Sequence, residues 1–200
     1  MKTKVFKIDP NKPEQEKIKE VARIIKLGGI VGIPTETVFG LGCDANNKEA
    51  IDKLYRVKKR SEQKPFTIQI ESANRLLDYV NEIPPGIESV LREFWPGPLT
   101  AIIKTENAKV GFRIPDNRSA LSIIKELGSP IALTSANIAG HESVSSAEDV
   151  LKIFDGLIEA VVDDGCKSSG VASTVIDFTE IPPKILRAGS DADKLKKFLI

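Results

Sequence analysis

Residues 30–45, IVGIPTETVFGLGCDA, decide between two α/β architectures. IVGI is apolar without alternation, the pattern of a strand buried on both faces. Gly40-x-Gly42-x-x-Ala45 has the spacing of a dinucleotide fingerprint, and Glu71 ends a later strand where a ribose acceptor would sit. That fingerprint needs its glycines directly after the strand, at the start of a helix. Here Pro34-Thr35-Glu36-Thr37 intervenes, and Asp44 to Asn47 reads as turn and cap. The glycines are therefore expected to turn the chain out of a strand, with PTET setting hydroxyls and a carboxylate on a rim. Rims at strand ends are where open α/β sheets bind ligands.

Outward from this stretch, helical and strand patterns interleave. PEQEKIKEVARIIKLGG is a helix with Ile18, Val21, Ile24 and Ile25 on one face and glycines at its stop. NKEAIDKLYRVKKR, PPGIESVLREFW, SALSIIKELG, SAEDVLKIFDG and DADKLKKFLI are further helices, with Ser146 a plausible N-cap. VFKI, PFTIQI, LTAIIKT, VGFRIP, PIALTSAN, AVVDDG, STVIDF and KILRAG are strands. The class is α/β (α+β), and the 200 residues are expected to form one domain, 1–200. A hydrophobic fraction of 41% supports one sizeable core, and a net charge of +1 provides no global field toward nucleic acid or membrane. The N-terminus has no apolar signal core, and no apolar run reaches membrane-spanning length. Cys43 and Cys166 read as free thiols in a reducing compartment, and the cytoplasm is the expected location. The single histidine, His141, limits metal and proton-relay chemistry.

Three further features carry polar chemistry. Arg56, Lys58, Lys59, Arg60 and Lys64 put five positive charges in nine positions. Cations in a last helical turn offset the helix dipole, which accounts for Arg56 and Lys59. It does not reach Lys64, so Lys58, Arg60 and Lys64 are expected to form a cationic arc suited to a polyphosphate. TSAN, 134–137, ends a buried strand in hydrogen-bonding groups without a G-x-S-x-G elbow. Arg113 and Arg187 sit in apolar strands, where each must face water or meet an anion. Ser173-Thr174 adds hydroxyls, while GCKSSG is not a Walker loop because its lysine precedes the second glycine. Hydroxyls and cations at many strand ends, without a metal cage or thiol pair, suit phosphoryl or nucleotidyl transfer.

The ordered set GGIVGIPTETVFGLGCDA, VKKRSEQKPFTI, FWPGPLT, GFRIPDN, TSANIAG, STVIDF and ILRAG resembles the YrdC-like family of threonylcarbamoyl-AMP synthases, from about residue 14 to about residue 190. The resemblance implies a single-domain, twisted mixed sheet flanked by helices around a positively charged concave cavity, in the family's short form. It implies that L-threonine, bicarbonate and ATP give threonylcarbamoyl-adenylate and pyrophosphate, for threonylcarbamoyladenosine modification of tRNA by downstream machinery.

The same resemblance assigns residues. Lys58, Arg60 and Lys64 would hold the ATP phosphates and act catalytically. Thr35, Thr37, Gln69, Arg113, Ser135 and Ser173 would bind threonine. Lys109, Asn137, Ser145 and Arg187 would complete the ATP site, with Mg²⁺ accompanying the nucleotide and no metal held by protein ligands alone. Gln69 departs from a histidine frequent in long members, Ser61 from a common proline, and Ala139 from a serine. The KKRSEQK loop is a candidate lid. The alternative is a double-stranded RNA or tRNA-binding module of the same fold without adenylate-forming activity. A relation to the carbamoyl-adenylate-forming domain of hydrogenase maturation proteins is disfavoured, because their zinc-finger and acylphosphatase modules are absent.

Overall fold

The computed structural model describes residues 2–80, 83, 86–138 and 140–199. Pro84-Pro85, expected to begin the third helix, and Ala139 lie outside them. Strand formation follows the apolar segments. β1 (Lys4–Lys7), β2 (Val31–Ile33), β3 (Gly40–Asp44), β4 (Thr67–Gln69), β5 (Leu99–Lys104), β6 (Lys109–Arg113), β7 (Ile131–Ser135), β8 (Ala160–Asp163), β9 (Thr174–Asp177) and β10 (Lys184–Arg187) join in one mixed sheet. Its order is β1-β8-β2-β3-β7-β4-β6-β5-β9-β10.

The helices are α1 (Gln15–Lys26), α2 (Lys48–Lys58), α3 (Ile87–Phe94), α4 (Arg118–Leu127), α5 (Ala147–Phe154) and α6 (Ala192–Phe198), with a 3₁₀ turn over Ala73–Asp78. Their starts are chemically marked. Asn47, Asn117 and Ser146 accept from the backbone N–H groups of Ala50, Ala120 and Asp149, satisfying donors that a helix start leaves unpaired. Gly128 ends α4 at φ 69°, where a side chain would be strained.

One expectation is corrected. Gly40 and Gly42 do not turn the chain out of a strand; they lie within β3, paired with β2 on one side and β7 on the other. A Cβ on Gly40 would sit 2.7 Å from Leu133 side-chain atoms, and one on Gly42 2.7 Å from Ile131 Cγ2. The glycines make room for large residues of β7. Glu71 likewise is no ribose acceptor in this structure, since its carboxylate pairs with Arg75 Nε at 3.0 Å.

Helices cover the sheet unevenly. α1 and α4 pack on Phe6, Val31, Ile33, Ile131, Leu133 and Val162, on one face of the β1–β7 half. The opposite face is covered by α2 and α5 at one end and by α3 and α6 at the other. Side chains alternate across a strand. Thr67 and Gln69 therefore share the face of Leu133 and Ile131, their register partners on β7, and Arg113 shares it as the partner of Gln69 on β6. Polar residues thus stand on the first face, next to the part that α1 and α4 cover.

Candidate functional site

These side chains line a small cavity of about 60 Å³. Its walls are Thr67 and Gln69 of β4, Thr100 of β5, Arg113 of β6, Leu133, Thr134 and Ser135 of β7, and Arg187 of β10. Thr35, Val38, Ala172 and Ser173 close it from the connecting segments. Four larger surface grooves, of about 480, 610, 680 and 300 Å³, contain none of the threonine- or ATP-site residues implied by the resemblance. The chemistry of the lining, not its size, marks the site.

Arg113 is 5% exposed and forms its anchor. Its Nε donates to Gly97 O at 3.1 Å, and its Nη2 donates to Glu36 Oε1 at 2.6 Å and to Thr37 Oγ1 at 2.8 Å. The anion that this strand arginine meets is therefore internal. Nη1 is the end that the described residues leave unengaged. Thr35 Oγ1 lies 2.9 Å from Thr37 Oγ1 and donates to Val38 O at 2.6 Å, which folds PTET into a tight polar turn.

At the far wall, Ser173 Oγ lies 2.8 Å from Thr100 Oγ1 and accepts from Arg187 Nη2 at 3.0 Å. Arg187 Nε donates to Ser173 O at 2.9 Å. Partial desolvation, then Arg113 and Arg60, lowers the proton affinity of this guanidinium. Arg187 thus feels two other guanidinium groups and no described carboxylate partner. Such a cluster is relieved by an incoming anion.

The cationic segment is arranged differently from the open arc expected. Lys58 is 2% exposed. Its ammonium turns inward and donates to Ser135 O at 2.5 Å, to Asn137 Oδ1 at 2.8 Å and to Asn137 O. Burial first, then Arg60, pushes it down to about 8. The reason is positional: Lys58 is the last residue of α2, and Lys59 turns the chain away in the left-handed region at φ 50°. Arg60 folds back along its own loop, Nε donating to Lys64 O at 2.9 Å and Nη2 to Pro65 O at 3.2 Å. Lys64 stays exposed.

Ser135 Oγ donates to Asn137 Oδ1 at 2.6 Å, and Asn137 Nδ2 donates to His141 O at 2.5 Å. One network therefore joins α2, the end of β7 and the loop beyond it. Of the expected residues, Thr35, Gln69, Arg113, Ser135, Ser173 and Arg187 line the cavity, Thr37, Lys58 and Asn137 bond to lining residues from behind, and Arg60, Lys64, Lys109 and Ser145 do not join it. Lys109 pairs with Asp177 Oδ2 at 3.2 Å and Glu180 Oε1 at 2.8 Å. Ser145 is half-buried just before α5 and is not among the lining residues. Sequence reasoning missed Thr67 and Thr100, and the clamp made by residues 168–170. Ser168 Oγ donates to Thr35 O at 2.7 Å, Ser169 N to Glu36 O at 2.9 Å and Gly170 N to Thr37 O at 2.8 Å. The SSG triplet carried the only signal for it.

The family model described as "Telomere recombination", which covers Sua5, YciO and YrdC proteins, matches residues 23–189. The chain belongs to the Sua5/YrdC family. Threonylcarbamoyl-AMP synthase of Pyrococcus abyssi is 39% identical over 186 residues, 88% of this chain and 55% of that protein. The Bacillus subtilis protein of the same name is 35% identical over 206 residues, 94% and 59% of the two chains. The crystal structure of P. abyssi Sua5 complexed with L-threonine matches with a TM-score of 0.90 at 36% identity, over 96% of this chain and 61% of that one. The chain thus spans a little over half the length of these Sua5/YrdC relatives. The mixed α/β fold expected from the sequence is the family fold.

Proposed function

We propose that this Sua5/YrdC chain is a threonylcarbamoyl-AMP synthase, a nucleotidyltransferase that converts L-threonine, bicarbonate and ATP to threonylcarbamoyl-adenylate, pyrophosphate and water. One observation carries the reading. Two cationic groups, Arg113 and Arg187, flank a single hydroxyl-lined cavity whose third wall is the Ser135–Asn137–Lys58 network. That arrangement fits two anions brought together. The relatives named for this activity, and the one crystallised with L-threonine, support the same reading.

In this scheme Arg113 holds the threonine carboxylate, with Thr35, Thr37, Gln69, Ser135 and Ser173 orienting the rest of the amino acid. The threonine amine attacks carbon dioxide formed by dehydration of bicarbonate. A C–N bond forms, the amine gives up its proton, and a carbamate results. A carbamate oxygen then attacks the α-phosphorus of ATP, and the bond to pyrophosphate breaks. Both reactants are anionic, so neutralisation of charge dominates the barrier. Arg187, Arg60 and Lys64 face the phosphates, and Lys58 sets the Ser135–Asn137 loop against them. Lys109 and Ser145 fit only as outer contacts to the nucleotide. Mg²⁺ would arrive on the ATP phosphates, since the hydroxyl and cationic lining suits phosphate oxygens more than a bare cation. Because the carbamate is labile, the 59–66 loop serves as a lid that excludes water.

The product would pass to the machinery that modifies tRNA, in the cytoplasm. No described helix is long and apolar enough to cross a membrane. The test is pyrophosphate release measured with threonine and bicarbonate each omitted in turn. Dependence on both supports the proposal, and Lys64→Ala should keep the fold while losing most of the release. Salt-sensitive RNA binding with no pyrophosphate release would replace this reading by the binding-module one.

A further inference from the structure

The polar side chains of the cavity form a row across the sheet, and Thr100 stands at its middle. Ala101 pairs with Phe112, so alternation puts Thr100 on the face of Arg113. On the other side of β5, Ser173 stands just before β9, whose Thr174 pairs with Leu99, and Arg187 ends β10. Thr100 therefore lies between the two guanidinium groups, with Arg113 on one flank and Arg187 on the other. It is 3% exposed, and among the described residues its hydroxyl meets one group, Ser173 Oγ at 2.8 Å. The methyl is held as well. A Cβ on Gly111 would lie 3.2 Å from Thr100 Cγ2, so the glycine of β6 leaves the space that this methyl needs. A β-branched side chain has few rotamers, and packing of the methyl keeps the hydroxyl on Ser173.

We propose that Thr100 is a positioning residue, which fixes the direction of the Ser173 hydroxyl and through it couples the binding of threonine to the binding of ATP. The inference rests on the two-substrate reading given above. A serine hydroxyl has one proton to donate and two lone pairs. Arg187 Nη2 occupies one lone pair at 3.0 Å. When Thr100 donates to the second, the Ser173 O–H has a single use left, donation into the cavity, where the carbamate carries its charge. Thr100 Oγ1 has no other acceptor among the described residues, so its proton is available for this bond. Arg187 also holds Ser173 O through Nε at 2.9 Å. A phosphate that orders Arg187 thus orders Ser173 too, and an anion on Ser173 returns the effect, because coupling between sites is reciprocal. Without the Thr100 hydroxyl, Ser173 keeps a free lone pair and its proton loses its direction. Each substrate then binds without regard to the other.

The test measures threonine affinity by calorimetry in bicarbonate buffer, with and without α,β-methylene-ATP, whose α–β bridge does not break. It compares the wild type with Thr100→Val and Thr100→Ser, with pyrophosphate release for turnover and thermal melts to confirm folding. In the wild type the analogue should tighten threonine binding at least about fivefold, the low end of ordinary coupling. In Thr100→Val that gain should shrink to within about twofold of none. Its kcat should fall at least about tenfold, because a donor aimed at the reacting anion is misdirected. Thr100→Ser keeps the hydroxyl and should restore both. Failure of serine to restore them would assign the effect to the methyl and overturn the inference. Equal weakening of threonine with and without the analogue would show a structural role only, and would overturn it as well. So would a Thr100→Val protein with the full wild-type gain, or a wild type without any. These outcomes leave the synthase reading standing where pyrophosphate release still needs threonine and bicarbonate. A wild type that neither binds threonine nor releases pyrophosphate removes that reading and this inference together. Thr100→Ala removes the same hydroxyl with less bulk, and keeps the measurement possible should valine disturb the strand.

Discussion

Arg113 and Glu36 lie 77 positions apart in sequence, and Arg113 Nη2 donates to Glu36 Oε1 at 2.6 Å. The other Glu36 oxygen accepts from Asp116 N at 3.2 Å. Glu36 thus does two things at once. It compensates a guanidinium that the sheet has taken out of water, and it ties the PTET turn to the segment after β6. A buried charge left without such a partner is strongly destabilising. The arginine is therefore oriented before any substrate arrives, and preorganisation of this kind lowers the cost of binding.

Replacing Arg113 separates charge from geometry. Arg113→Lys keeps the charge but cannot address Gly97, Thr37 and Glu36 together, because lysine lacks the planar fork. Its KM for threonine should rise at least about tenfold, the loss expected for one charge-assisted hydrogen bond. Arg113→Ala strands Glu36 and should cost about 3–5 kcal/mol in urea unfolding. Adding Glu36→Gln to Arg113→Ala should recover part of that loss. If the second change adds to the damage instead, the ion pair is not what stabilises this corner.

Lys58 makes stability depend on pH in a defined direction. In the unfolded chain it titrates near its ordinary 10.5, and in the folded chain at about 8. Between those values the unfolded chain binds more protons, so stability rises with pH across the window. Below about 8 the cost of burying the charge is present in full, on the order of 3 kcal/mol. The stability of the wild type relative to Lys58→Met should therefore increase from pH 7 to pH 10. Urea titrations of both proteins at the two pH values measure it, and a constant difference would show that burial does not shift this lysine.

Gly40 provides a test of the sheet's register. A methyl there would meet three Leu133 side-chain atoms within 2.9 Å. Gly40→Ala should cost about 1–3 kcal/mol, as overpacking does. Shortening the neighbour in Gly40→Ala/Leu133→Ala should make the two losses less than additive, the mark of direct contact. Simple additivity would place Leu133 elsewhere.

Most of the architecture was legible because most elements carry their own signals. The face of Ile18, Val21 and Ile25 marks α1, the caps at Asn47 and Ser146 mark helix starts, and LTAIIKT and VGFRIP read as the strands that become β5 and β6. β3 was not legible, because GLG reads as a turn unless Leu133 and Ile131 are known to need the space. The inward turn of Lys58 was hidden for a related reason. A lysine at a helix end reads as exposed until the carbonyls of β7 are placed opposite it. The order of motifs located the polar residues, but only the register showed that Gln69 and Arg113 stand side by side. Glu36 was visible as a rim carboxylate, and its arginine partner was not.

Arg60 appears to the sequence as one more phosphate cation, yet the structure gives it a second task. Its guanidinium bonds to the carbonyls of Lys64 and Pro65 and lies 5.6 Å from the centroid of the Phe66 ring, which stacks on Tyr55 at 4.2 Å. It therefore pins the far end of the 59–66 loop to α2. Arg60→Lys retains the charge and the trypsin site but loses both carbonyl contacts. Trypsin should then cut this loop faster than in the wild type, and ATP should slow the cutting in the wild type more than in the variant. The KM for ATP should rise roughly ten- to a hundredfold, the range for one charge-assisted hydrogen bond, while threonine affinity measured without ATP stays the same. A loop equally resistant in both proteins would mean that Tyr55 and Phe66 hold it without the arginine. Absence of ATP protection in the wild type would remove the lid from the mechanism.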